Sequence, residues 1–145
     1  MEIRIYETAQ EASKAGAKLI ADVIKSREST VLGLATGSTP VGMYDEWARM
    51  NATGELDFAT VSSFNLDEYI GLDGTHDQSY RYFMNKHLFN RVNIRMNETH
   101  VPCGNGADHD QDAREYDKMI EAAGGIDVQV LGIGNNGHIG FNEPG

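Results

Sequence analysis

Residues 31–40 read VLGLATGSTP, an apolar run followed at once by glycine, hydroxyl-bearing residues and proline. An apolar run of this kind is typical of a parallel strand that is buried on both faces of a sheet. Thr39 can cap a helix that begins just behind it, and Pro40 suits the first helical position. The stretch therefore predicts a strand that runs directly into a helix ending near Met50, which is the repeating unit of an α/β fold.

The flanking segments repeat this alternation. Residues 2–6 alternate polar and apolar side chains, which predicts a short strand. Thr8 and Glu11 have the spacing of a capping box for a helix that ends in the polar residues 26–29. We expect further strands at 60–66, 99–102 and 126–131, and further helices that begin near Asp77 and at Asp110. The pattern predicts one domain over residues 1–145, with a doubly wound, mostly parallel sheet and helices on both faces, a Rossmann-like α/β arrangement.

Composition narrows the functional classes. The chain has 12 basic and 22 acidic residues, a net charge of −10. Nucleic-acid and membrane-surface binding need a basic footprint, so neither is expected, and no apolar run approaches membrane-spanning length. Cys103 is the only cysteine, which precludes an intrachain disulfide and fits a reducing cytosol, so we predict a cytoplasmic protein. The sequence does not determine the oligomeric state, and a homo-oligomer is compatible with it.

Three segments follow predicted strands at what should be one edge of the sheet: residues 36–39, 67–69 and 134–143. In a parallel sheet all carboxyl-terminal ends point the same way, and ligands bind in the crevice outside them. We therefore expect these three segments to share a cavity.

The first segment has the chemistry of an anion site. Thr36, Gly37, Ser38 and Thr39 offer hydroxyls and backbone N–H groups at a helix N-terminus, where the helix dipole favours negative charge. The Walker spacing with its lysine is absent, and no GxGxxG follows the first predicted strand, so neither a P-loop nor a dinucleotide site is expected. Simple capping of the helix is the alternative interpretation.

The other two segments supply titratable groups. Asp67 follows a strand, and a carboxylate partly removed from water can act as a base near neutral pH. His138 can carry a proton either way, and the carboxylate of Glu143 can orient its ring. The alternatives are a solvated strand end and an incidental histidine in a glycine-rich turn. A cation bound by these three residues is a competing interpretation, but the HxH and HExxH spacings of metal sites are missing.

Four motifs together resemble a known family: LGLATGSTP at 32–40, FNLDEY at 64–69, QSY at 78–80 and GIGNNGHIGFNEPG at 132–145. They resemble the glucosamine-6-phosphate deaminases, in order and across nearly the whole chain. The family converts glucosamine 6-phosphate and water to fructose 6-phosphate and ammonia by aldose–ketose isomerisation, a step of amino sugar catabolism. The resemblance implies an enzyme of the hydrolase class with a small-molecule sugar phosphate as its partner and no cofactor or metal.

The resemblance also implies roles for individual residues. His138 would take the anomeric hydroxyl proton and return one to the ring oxygen, with Glu143 orienting it. Asp67 would move a proton from C2 to C1. The implied substrate contacts are Thr36, Gly37, Ser38, Thr39, Tyr80 and Gly137.

The chain departs from the family at Asn136, where many members carry an aspartate. An amide cannot shuttle a proton, so the expected relay reduces to His138 and Glu143. The family also continues past residue 145, so we expect the domain to lack its C-terminal part. Two alternatives stay open, namely a 6-phosphogluconolactonase-like hydrolase and a sugar-phosphate sensor without turnover.

Overall fold

Four strands form one parallel sheet in the computed structural model, which describes residues 1–145. They are β1 (Thr30–Leu34), β2 (Val61–Asn65), β3 (Thr99–His100) and β4 (Val128–Gln129). Their spatial order is β3-β2-β1-β4, and every neighbouring pair is parallel. The predicted parallel α/β architecture is confirmed.

The chain has four helices; the first precedes β1, and the other three connect successive strands. The helices are α1 (Ala9–Lys25), α2 (Val41–Ala52), α3 (Tyr80–His87) and α4 (His109–Ala122), with single 3₁₀ turns at Phe89–Arg91 and Met96–Glu98. The predicted cap of α1 is present, since Thr8 Oγ1 accepts a hydrogen bond from the Glu11 backbone N–H at 3.1 Å. None of the helices combines the length and the apolar character that a membrane crossing requires.

Successive side chains of β1 and β2 point to opposite faces of the sheet, and helices pack against both faces. Leu32 and Leu34 belong to the main hydrophobic core with buried residues of α1, α2 and α3. Trp47 of α2 is 0% exposed in this core, and truncating it to alanine would cost about 3–5 kcal/mol. Phe64 alternates to the other face, where its ring stacks on His100 at 4.5 Å and packs edge-on against Tyr116 of α4 at 5.7 Å.

Three predicted strands differ from the structure. The strand predicted at 99–102 is limited to the two residues of β3. Residues 2–6 form no strand, and Ile3 and Ile5 are 74% and 91% exposed, because no neighbouring strand pairs with this segment. The predicted strand at 126–131 shrinks to two residues in β4, and Leu131 is 51% exposed. β4 lies at an edge with only β1 beside it, so its apolar residues are covered on one side alone.

Two helix predictions also need correction. Thr39 does not cap α2; Pro40 is the N-cap and no side chain bonds the first turn. The α2 helix starts one residue later than expected because the Pro40 carbonyl accepts its first hydrogen bonds, from the N–H groups of Met43 and Tyr44, each at 3.0 Å. In α4 no residue is fully buried. Helical spacing in the sequence places Ala113 on the same face as Tyr116 and predicts that it faces inward, but it is exposed, since this helix covers its face of the sheet alone.

Candidate active site

A cavity of about 250 Å³ lies at the carboxyl-terminal edge of the sheet. Segments far apart in the sequence line it, including seven of the predicted site residues: Thr36, Gly37, Ser38, Thr39, Asp67, Tyr80 and His138. Its volume falls just below the usual range for ligand pockets, roughly 300–1,000 Å³. The cavity therefore suits one small polar molecule.

Strand register explains why these segments meet. Leu34 of β1 pairs with Asn65 of β2, so Thr36 and Asp67 each follow two residues after a paired position. The Asn65 side chain reinforces the pairing by donating to the Leu34 carbonyl at 3.2 Å. On the other side of β1, the Val130 N–H donates to the Gly33 carbonyl at 2.8 Å, which brings the glycine-rich segment beyond β4 to the same edge.

The segment before α2 is rich in free donors. The backbone N–H groups of Gly37, Ser38 and Thr39 donate no hydrogen bond within the chain. Gly37 has a φ of 88°, a conformation that favours glycine. Tyr44 of α2 anchors the start of this segment by donating from its hydroxyl to the Ala35 carbonyl. No lysine or arginine lines the cavity, so an anion bound here would rely on these N–H groups, the hydroxyls and the helix dipole.

Asp67 is the carboxylate of the cavity. Partial burial is the largest influence and raises its pKa, and the negative charge of nearby Glu68 raises it further. The backbone N–H of Phe141 stabilises the carboxylate and lowers the pKa, but the net effect is an increase. A carboxylate with a raised pKa binds a proton more readily than an exposed one and is better matched to general base catalysis near neutral pH.

His138 lies across the cavity on the glycine-rich segment. Its Nδ1 is 2.7 Å from Asn136 Oδ1, and its backbone N–H donates to the same oxygen at 3.2 Å. The Asn136 Nδ2 donates to Glu143 Oε2 at 2.7 Å. Asn136 therefore lies between the two residues, which corrects the expected direct pairing of His138 with Glu143. Asn136, Gly137 and Glu143 do not line the cavity and are exposed behind the imidazole.

These contacts select one tautomer of the neutral imidazole. The amide of Asn136 is oriented by the carboxylate, which can accept only from the NH₂ group, so its oxygen faces His138. An amide oxygen is solely an acceptor, and Nδ1 must therefore carry the hydrogen of this bond. Nε2 is left as the proton acceptor of the neutral ring.

Two glycines permit the close packing of this segment. A Cβ on Gly134 would lie 2.2 Å from two atoms of the His138 ring, so a side chain there would force the imidazole to move. Gly140 has a φ of 59°, and a Cβ would approach Asp67 Oδ2 to 3.0 Å. The segment turns on itself through the paired hydrogen bonds between Ile139 and Asn142, at 3.2 and 3.0 Å.

Sequence reasoning missed part of the cavity wall. Phe141 lines it, and its ring forms a cluster with Tyr69 and Tyr80 at centroid distances of 4.8 to 5.7 Å. Apolar and glycine residues supply the rest: Ala35, Leu66, Gly132, Ile133, Gly134 and Gly140. All of them lie inside the quoted motifs, but nothing in their residue type marks them as cavity residues.

A larger depression of about 790 Å³ lies along α1 and α2 and shares Ser38, Thr39 and Gly132 with the cavity. It contains neither Asp67 nor His138. We therefore take the smaller cavity, in which the titratable groups converge, as the candidate site.

Comparison with known proteins shows the family of the chain. Residues 5–140 match the model of the glucosamine-6-phosphate isomerases/6-phosphogluconolactonase family. The chain belongs to this family. Within the family, the chain is 56% identical over 145 residues to a glucosamine-6-phosphate deaminase of Clostridium perfringens (strain 13 / Type A) and 52% identical over 144 residues to one of Thermoanaerobacter sp. (strain X514). It covers 60% and 57% of the length of these two curated relatives.

Solved structures of the family have the same fold. A monomeric glucosamine-6-phosphate deaminase superposes with a TM-score of 0.96 at 41% identity, over 100% of this chain and 60% of the other. A 6-phosphogluconolactonase from Thermotoga maritima superposes with a TM-score of 0.78 at 18% identity, over 97% of this chain and 62% of the other. The second likeness concerns the fold alone.

Proposed function

We propose that the chain carries the active-site residues of a glucosamine-6-phosphate deaminase. The reaction converts glucosamine 6-phosphate and water to fructose 6-phosphate and ammonia. The single observation that supports it best is the convergence of Asp67, His138 and residues 36–39 on one cavity. The 56% identity with a relative of that name supports the choice of substrate.

Binding of the sugar phosphate begins at the α2 end of the cavity. The phosphate would accept hydrogen bonds from the free N–H groups of residues 37–39 and from the hydroxyls of Thr36, Ser38 and Thr39. With a net charge of −10 the chain has no favourable overall field for an anion, so this local set of donors has to provide the attraction. The sugar would then extend towards Asp67 and His138.

Ring opening is the task of His138. Its Nε2 would take the proton of the anomeric hydroxyl and return one to the ring oxygen, which gives the open-chain aldehyde. During this transfer the imidazole becomes positively charged. Asn136 would stabilise the charged ring through its oxygen, and Glu143 would act on the ring through the amide of Asn136.

Isomerisation is the task of Asp67. Its carboxylate would remove the proton from C2 and deliver it to C1, and the charged amine at C2 makes that proton easier to remove. As C1 is protonated, O1 gains a proton and the ammonium loses one, so that C1 becomes an alcohol and C2 an iminium. Water then adds to C2, its oxygen transfers a proton to the nitrogen, ammonia leaves, and the oxygen from water remains as the ketone. The net reaction consumes water, which is the basis for placing the enzyme formally among hydrolases, while the chemistry at the cavity is proton transfer. None of these steps assigns a role to a metal or redox cofactor.

A direct assay tests the proposal. The protein is incubated with glucosamine 6-phosphate, and ammonia and fructose 6-phosphate are measured together, with unphosphorylated glucosamine as the control substrate. Equal amounts of both products from the phosphorylated sugar alone are expected. Hydrolysis of 6-phosphogluconolactone without ammonia formation would favour the lactonase, and binding of glucosamine 6-phosphate without either product would favour a sensor.

A further inference from the structure

Glu68 makes three hydrogen bonds to backbone N–H groups. Its Oε1 accepts from Tyr69 at 2.9 Å and from Tyr80 at 2.8 Å, and its Oε2 accepts from Arg81 at 3.0 Å. Tyr80 and Arg81 are the first two residues of α3 and lie more than ten positions away in the sequence. One carboxylate therefore joins the end of β2 to the start of a distant helix.

The first turn of α3 depends on two side chains. The first N–H groups of any helix lack partners within the helix. Glu68 satisfies those of Tyr80 and Arg81, and the Ser79 hydroxyl satisfies that of Tyr82 at 3.0 Å. Glu68 also brings negative charge to the positive end of the helix dipole. Of the two, only Glu68 belongs to a different segment from the helix that it caps.

Packing behind Glu68 fixes its own position. A Cβ at Gly104 would lie 2.5 Å from the carbonyl oxygens of Tyr69 and Leu72 and 3.1 Å from Glu68 Cγ. The Gly71 N–H also donates to the Gly104 carbonyl at 2.6 Å. The segment that carries Glu68 is thus held closely against a neighbouring turn and cannot move with α3 freely.

The helix start determines where the Tyr80 ring lies. Tyr80 lines the cavity, and its hydroxyl is 3.2 Å from that of Tyr69. Asp67, the residue before Glu68, lines the same cavity. Adjacent side chains in an extended segment point to opposite sides, which lets Asp67 enter the cavity while Glu68 holds the helix.

We infer that Glu68 is a positioning residue for the proposed deaminase reaction: its carboxylate ties the first turn of α3 to the strand end that carries Asp67, and so holds the Tyr80 ring against the substrate. This inference rests on the proposed function for its kinetic consequences. It assigns Glu68 no contact with the substrate.

Two variants of Glu68 and one control test the inference. Glu68→Gln keeps one acceptor oxygen but places an NH₂ group at the second site, and Glu68→Ala removes both. Ser79→Ala removes the other cap of the same turn without touching the N–H of Tyr80. Amide hydrogen exchange at Tyr80 and Arg81 is measured for each variant, together with KM and kcat for glucosamine 6-phosphate.

In Glu68→Ala, both amides should exchange at least about tenfold faster. In Glu68→Gln, at least the amide that faces the new NH₂ group should do so. Both Glu68 variants should raise KM about tenfold with a smaller change in kcat, whereas Ser79→Ala should leave KM within about twofold. In a Tyr80→Phe background the effect of Glu68→Gln on KM should shrink, because both changes act on one contact. A merely structural cap would give equal KM changes for Glu68→Gln and Ser79→Ala, or additive effects with Tyr80→Phe, and either result would overturn the inference.

Failure of the inference is distinguishable from failure of the proposed function. A wild-type protein without turnover would contradict the deaminase assignment. Unchanged exchange at Tyr80 and Arg81 in Glu68→Gln would overturn the positioning role whatever the wild-type turnover is.

Discussion

Asn136 Oδ1 lies 2.7 Å from Nδ1 of His138, and this contact determines which imidazole nitrogen can accept a proton. The amide cannot relay a proton, but it can hold the ring and transmit an orientation imposed by Glu143, to which it donates at 2.7 Å. An asparagine at this position is therefore compatible with the proposed role of His138 as the acid and base of ring opening.

Asn136→Ala tests this contact. The variant should lower kcat about 10- to 100-fold, since the ring loses its orientation and its preferred tautomer, with little loss of stability because Asn136 is exposed. Steady-state kinetics with glucosamine 6-phosphate provide the measurement. Asn135→Ala, at the exposed neighbouring position, is the matched control and should retain activity. Equal kinetics for the two alanine variants would contradict the account of Asn136.

Asp67→Asn should reduce kcat about 10²- to 10⁴-fold, the usual range for loss of a general base. In the wild type, kcat/KM should fall at low pH, because protonated Asp67 cannot accept the C2 proton. Since the pKa of Asp67 is raised above the ordinary 3.8, this loss should occur at a higher pH than for an exposed aspartate. A pH–rate profile that stays flat down to the ordinary value would contradict the role of Asp67.

The same substitution should stabilise the fold at neutral pH. A raised pKa means that the native state binds the proton of Asp67 more tightly than the unfolded state does. The stability of the wild type therefore falls as pH rises from 3.8 through the raised pKa, and the cost persists above it. Asp67→Asn removes this cost and should raise Tm at pH 7. A lower Tm for the variant would indicate that the carboxylate stabilises the cavity.

Gly134→Ala should disable His138 without unfolding the chain. The added Cβ would lie 2.2 Å from two ring atoms, so the imidazole has to move, and kcat should fall at least about tenfold. Gly16→Ala is the control, because there the nearest atom is Met43 Sδ at 3.6 Å, an ordinary contact. It should retain activity and gain about 0.5–1 kcal/mol, since Gly16 is inside α1. Circular dichroism and kinetics of both variants are the measurements, and an active Gly134→Ala protein would contradict the packing argument.

Asp127 holds β4 to the rest of the sheet. Its carboxylate accepts from the Val31 N–H at 2.8 Å and from Arg27 Nη2 at 2.6 Å. Asp127→Ala should cost about 1–2 kcal/mol in the free energy of unfolding and expose the Val31 amide to exchange. Asp117→Ala, an exposed site on α4, is the control for loss of a negative charge. The stabilities of Asp127→Ala and Asp117→Ala are measured by denaturant unfolding. Equal midpoints for the two variants would show that Asp127 does not anchor the strand.

The sequence allowed prediction of the features that follow from strand periodicity. The apolar run that became β1 and the β-branched and aromatic segment that became β2 were recognisable. Parallel topology then required residues 36–39, Asp67 and the segment of His138 to meet at one edge. That convergence needs only the direction of the strands. It explains why most of the predicted site residues line one cavity.

Features that depend on contacts between separate segments of the chain could not be predicted from local periodicity. Alternation at residues 2–6 satisfies the pattern of a strand, but a strand also needs a neighbour with which to exchange hydrogen bonds, and none is present. The position of Asn136 between His138 and Glu143 depends on a turn with Gly137 at a φ of 89°. The contacts of Glu68 with α3 join two segments that are separated by a loop. The periodicity of the sequence does not predict the path of that loop.

The location of a bound sugar phosphate tests the central claim most directly. A structure determined with fructose 6-phosphate should show the phosphate against residues 36–39, with C1 and C2 beside Asp67 and the C5 oxygen near His138. A ligand seated instead in the depression along α1 and α2, or with its phosphate remote from residues 36–39, would contradict the claim that these three segments form one active site.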